Sequence, residues 1–188
     1  MKGISIFLMI ALVLATSTTP AIAGGPWKGK IIDIETKEPI EGAVVLAVWQ
    51  RAYRTPAGDN TYFYEAKEVL TDKEGKFEIP AYTPINLLPI ISYIREPEFT
   101  IFKPGYLSLS GRHLEENVID NPAEFKRNEK VYRLAPGIIE LPKLKAKEER
   151  IKSLNAVEGF PIGYAPDYKL KNLLEVIDQE NKNLGFKK

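Results

Sequence analysis

The sequence predicts a mainly β domain, an antiparallel β-sandwich, followed by a C-terminal helical hairpin. Three observations predict it. Short runs rich in β-branched and aromatic residues recur between Gly, Pro, Asn and Asp punctuation from Trp27 to Leu134. After Pro142 the hydrophobic period changes from strand-like to helix-like. The chain has no cysteine, and about 150 residues can bury roughly two thirds of their unfolded surface, enough to hold a core without disulfides.

The amino terminus comes first. Lys2 is the only charge before Lys28, Ile4 to Ala15 is almost wholly apolar, and Ala21-Ile22-Ala23 precedes Gly24. A basic start, a short apolar run and an A-x-A site predict a secretory signal over residues 1–23. A spanning helix needs about 20 apolar residues; this run is shorter and ends in Thr, Ser and Pro. We therefore expect cleavage, a secreted or periplasmic product, and no integral membrane span afterwards.

The strands follow in order. Lys28 to Ile34 reads as a strand, Glu35 to Pro39 as its turn, and Gly42 to Trp49 as a second strand long enough to cross a sandwich. Residues 52–61, with Pro56, Gly58, Asp59 and Asn60, mark a surface loop, and Tyr62 to Leu70 resumes the extended pattern. Asp72-Lys73-Glu74-Gly75 is a hairpin turn, after which Lys76-Phe77-Glu78-Ile79 alternates out and in. Ala81 to Arg95, interrupted by Pro84 and Pro89, reads as a packed crossover with room for a short helix. Phe99 to Phe102 is a strand, Lys103 to Tyr106 a turn, Ser110 to Asn128 an irregular excursion, and Lys130 to Leu134 the last strand. Leu144, Ile151 and Leu154 line one helix. Asp167 is the expected cap of another, in which Leu170, Leu173, Leu174 and Ile177 form the stripe. Such a helix is marginal alone, so its stripe must dock on the sandwich. The expected division is 24–136 for the sandwich and 137–188 for the helical extension.

Three stretches carry a family resemblance. Gly29 to Asp33 with Glu38 to Val44, Thr71 to Phe77, and Lys103 to Tyr106 resemble the opening strands, the T-D-x-x-G-x-F hairpin and the P-G-Y turn of the carboxypeptidase regulatory-like domain. The resemblance covers about residues 27–136 and implies a transthyretin-like, immunoglobulin-like antiparallel sandwich. It also implies a non-catalytic module, since that family's sandwich has no catalytic residues to carry over.

Composition narrows the chemistry. Without residues 1–23 the chain has 25 basic and 25 acidic residues, a balance that argues against nucleic acid or an anionic membrane as the main partner. Zero Cys removes thiol catalysis, thiolate zinc and iron–sulfur chemistry. His113 is the single histidine; with Asp120 nearby it falls short of a ligand set, and Ser92, Ser108, Ser110 and Ser153 lack a nucleophile's setting. Asp72 to Gly75 and Asp59-Asn60 read as turns rather than calcium loops. We expect no metal and no cofactor.

The candidate binding residues are aromatic. Trp49, Tyr53, Tyr62 and Tyr64 flank one loop, with Phe63, Arg51 and Arg54 among them. Flat apolar rings with polar tips suit a protein partner or a sugar. Tyr62 and Tyr64 share one strand face and Phe63 the other, so a core Phe63 would place both tyrosines outward. The sequence thus predicts a non-enzymatic exported module for protein–protein interaction or self-assembly. The alternatives are a carbohydrate-binding module using the aromatic loop and a carboxylate-dependent hydrolase.

Overall fold

The computed structural model describes residues 24–112, 123–127, 130–135, 137–158 and 165–186. The expected signal segment, His113 and Asp120 lie outside the described residues. The described chain is mainly β, with ten strands in two sheets followed by two helices.

One sheet runs β4 (Lys76–Ile79), β1 (Trp27–Asp33), β10 (Ile138–Leu141), β9 (Lys130–Ala135), β8 (Ala123–Arg127). The other runs β3 (Gly58–Leu70), β2 (Val44–Thr55), β6 (Glu98–Phe102), β7 (Leu109–Arg112), with β5 (Ser92–Ile94) also paired to β2. Trp27, Ile31, Phe77, Ile79, Ile139 and Leu141 of the first meet Val45, Ala47, Trp49, Phe99 and Ile101 of the second in one core. Fully burying an aliphatic or aromatic side chain of this size contributes about 1.5–3 kcal/mol. The two layers are held chiefly by this contact.

β2 is the organising strand. Its apolar run is continuous because both of its faces are covered. Val45, Ala47 and Trp49 face the intersheet core, while Val44, Leu46 and Val48 pack with Phe102 against the helices. α1 (Lys147–Glu158) contributes Leu154 and Val157, and α2 (Lys171–Asn183) contributes Leu173 and Ile177. The expected stripe of α2 docks as its spacing predicts; Leu144, placed on α1 by sequence, is buried just ahead of it.

Three polar fastenings fix this helical layer. Arg150 of α1 grips Glu180 of α2 with two hydrogen bonds, at 2.8 and 2.6 Å, and Glu180 also accepts the Gly105 N–H at 3.3 Å. Ser108 and Ser153 bond each other's backbone at 2.8 Å, tying the chain before β7 to α1. At the start of α2, the Glu68 carboxylate of β3 accepts the Asn172 and Leu173 N–H groups at 2.7 and 3.1 Å. A carboxylate there satisfies orphan donors and complements the helix dipole. Sequence assigned that cap to Asp167, which instead begins a single 3-10 turn, Asp167–Lys169.

The structure differs from the sequence reading in further places. β2 and β3 run through most of the expected 52–61 loop, and β8 lies within the expected 110–128 excursion. The sheet continues past residue 136: Gly137, at φ +69°, turns the chain into β10. β10 pairs parallel to β1, Lys30 opposite Ile138, so that sheet is mixed rather than antiparallel. A parallel pair needs a long crossover, and here everything between β1 and β10 supplies it. The Ala81–Arg95 segment contains β5 and no helix; Ile94 packs against the core, but Ile85, Leu87, Leu88, Ile90 and Ile91 face outward rather than packing.

The turn between β3 and β4 forms at the expected residues, but it joins no hairpin: β3 pairs with β2 and β4 with β1, so it carries the chain from one sheet to the other. Asp72 Oδ1 accepts the Glu74 and Lys76 N–H groups at 3.0 and 2.8 Å. Gly75 takes φ +74°, and a Cβ there would lie 2.4 Å from the Ile31 carbonyl oxygen. Only glycine fits that approach.

Candidate functional site

The aromatic candidates lie at the end of the molecule where β2 turns into β3. β2 pairs with β6 as far as Val48 opposite Glu98, then leaves it and pairs with β5 from Arg51 opposite Ile94. Between Trp49 and Gln50 the β2–β3 register shifts. Such an irregularity bends the hairpin and re-aims its side chains.

The four sequence-predicted residues separate here. Trp49 is 2 % exposed and packs edge-on against Trp27 at 5.5 Å and Tyr82 at 4.9 Å, so its faces serve the core. Tyr64 is half-buried against the same core, while Phe63 packs towards the helices. The Tyr64 hydroxyl donates to the Ile85 carbonyl at 2.9 Å and accepts the Ile85 N–H at 3.0 Å. Tyr53 and Tyr62 meet edge to face at 5.7 Å, and Tyr62 is 58 % exposed. Neighbouring Tyr82 has its phenol pushed up to about 12 by burial and by its hydrogen bond with Tyr64. Lys67 lies over its ring at 4.5 Å.

Sequence reading missed what these tyrosines support. Between Tyr82 and β5 the loop presents Ile85, Leu87, Leu88, Ile90 and Ile91, each between 47 and 87 % exposed. A bare aliphatic cluster of this kind is uncommon on a soluble monomer and marks an interaction site. The loop is held in one shape. The Asn86 amide donates to the Ser92 carbonyl at 2.7 Å, and its oxygen accepts the Leu88 N–H at 3.2 Å and the Ser92 hydroxyl at 3.0 Å. The Ile91 carbonyl accepts the Arg54 N–H at 3.0 Å. The polar groups face inward and the aliphatic ones outward. The available signal was an apolar run with neither helical nor strand period, punctuated by Pro84 and Pro89.

Three arginines surround the base of this loop. Arg51 stacks over Tyr64 at 4.8 Å and reaches the Ile85 carbonyl at 3.4 Å, and Arg54 lies over Tyr93 at 5.4 Å. Neither has a carboxylate partner among the described residues. Arg95 pairs with Asp59 at 3.6 Å, and Asp59 also accepts the Tyr93 hydroxyl.

The other candidate chemistry resolves into structural contacts. Ser92 closes the loop, and Ser108 and Ser153 tie β7 to α1 as described. Asp72 holds its turn and Asp59 its ion pair. Among the described residues no group of three His, Asp or Glu side chains is placed to hold a metal ion. At the opposite end, Asp33 accepts the Glu35 and Thr36 N–H groups at 2.8 and 3.0 Å and the Tyr106 hydroxyl at 3.1 Å. Burial raises its pKa, but these hydrogen bonds outweigh burial and hold the carboxyl below its ordinary value. The arrangement fastens a turn.

What the molecule offers chemically is therefore a shaped, fixed apolar projection with a tyrosine and arginine collar. No protein-family model matches the chain, and neither a curated protein nor a solved structure shows a significant match.

Proposed function

We propose that this chain is an exported, non-catalytic interaction module built on a transthyretin-like β-sandwich. Its working surface is the end formed by the Pro84–Ile91 loop and the β2–β3 hairpin. One observation carries the reading: five aliphatic side chains stand exposed on a loop that the protein takes trouble to hold in shape. A loop without a partner would lower its free energy by turning those side chains inward or replacing them with polar ones. Residues Tyr53, Tyr62 and Tyr64 support and flank that surface.

The test uses the Leu87→Ser/Ile90→Ser double variant, whose sites are among the most exposed in the chain. Wild-type protein should sediment with envelope material from its host, and the variant should stay in the supernatant with an unchanged circular-dichroism spectrum. Equal sedimentation of both would end this reading. The exposed Tyr62 ring, with Tyr53 at its edge, favours a second reading, binding of a glycan. Glycan-array binding lost in Tyr62→Ala but kept in the loop variant would select it.

A further inference from the structure

We propose that the partner of this end is a lipid bilayer with anionic headgroups: Leu87, Leu88, Ile90 and Ile91 enter the acyl boundary while Arg54 meets headgroup phosphate. The proposal rests on the apolar end being the working surface, and names what that surface meets.

Three observations select lipid. The first is shape. Leu87 and Ile90, at 82 and 87 % exposure, project almost free of their surroundings. They suit a fluid apolar phase that needs no complementary pocket. The second is the collar: Arg51 and Arg54 lie over the rings of Tyr64 and Tyr93 beside the aliphatic cluster. Amphipathic rings and basic side chains next to an apolar surface are what a membrane interface favours.

Charge is the third. The neutral balance of the whole chain does not describe this end. Asp59 is engaged with Arg95 and Tyr93, leaving Arg51 and Arg54 without carboxylate partners among the described residues; Glu96, next to Arg95 in sequence, is exposed. Basic groups close to an anionic surface strengthen the attraction to it.

The experiment is cosedimentation of the chain from Gly24, which contains every described element, with phosphatidylcholine vesicles with and without phosphatidylglycerol. Wild-type protein should pellet with the phosphatidylglycerol vesicles. Leu87→Ser/Ile90→Ser should lower that partitioning about a hundredfold, as removal of two inserted aliphatic side chains requires. Arg54→Gln should reduce the preference for phosphatidylglycerol several-fold. If neither vesicle binds while envelope material still distinguishes wild type from the loop variant, the lipid proposal falls and the apolar end stands. Self-association abolished by the loop variant, without vesicle binding, would overturn it in favour of a second copy. Vesicle binding equal in wild type and loop variant would overturn both readings.

Discussion

On the outer face of β2, Val44, Leu46 and Val48 lie under Leu154, Val157, Leu173 and Ile177 of the two helices. At the far end of the same strand, Ile85, Leu87, Leu88, Ile90 and Ile91 have no such cover among the described residues. Both surfaces are aliphatic, and the chain provides a lid for only one. The helices can serve as a lid because leucines at i, i+3 and i+4 make one continuous face. The loop cannot fold onto itself, because Pro84 and Pro89 deny it a helix or a strand and Asn86 fixes its bend. The comparison teaches that apolar content alone does not report burial. A bare cluster on a rigid support is a feature of the design of the surface, not a failure of the core.

Substitutions sharpen this contrast. Leu173→Ala under the helical lid should cost about 3–5 kcal/mol of stability in urea unfolding, because it empties a fully buried site. Leu87→Ser on the bare surface should stay within about 0.5 kcal/mol of wild type. A large loss from Leu87→Ser would show that the loop is core after all. Next in size is Glu180→Ala, which strands Arg150. We expect about 3 kcal/mol, the low end for a broken buried pair because the Arg150 side chain keeps 24 % exposure to water. Unfolding of the variant with an unchanged midpoint would mean that the helices are held by their apolar stripe alone.

The smallest effect is pH-dependent. The Asp33 carboxyl sits below its ordinary value, so the unfolded chain takes up a proton before the folded one does. Its contribution is therefore complete above the ordinary carboxylate range and fades as pH falls through the lowered value. The stability gap between wild type and Asp33→Asn should narrow in acid below about pH 4. A gap that is constant across that window would show that the carboxylate charge has no part in holding the turn.

Much of the architecture can be read from local pattern. The Asp72–Gly75 turn, the continuous apolar run of β2 and the stripe of α2 each follow from neighbouring residues. What escaped depended on distance. Glu68 caps a helix 104 residues further on, and Arg150 finds Glu180 across an intervening loop; no window along the chain contains either pair. β10 escaped because Pro136-Gly137 looks like an ending, and Ile138 to Leu141 is too short to announce a strand. Trp49 was a candidate ligand face only because it borders a loop. Its alternation with Val45 and Ala47 already assigned it to the core side. The loop was expected to pack because its residues are apolar, and no periodicity existed to contradict that.

The side-by-side placement of the first strand and the tenth has a consequence for how the polypeptide matures. β1 cannot acquire its parallel neighbour until Ile138 has emerged from the ribosome, so the layer it anchors stays open through most of synthesis. Until then one edge of β1 has no partner strand, so closure of that layer waits on the last of the described strands to be made.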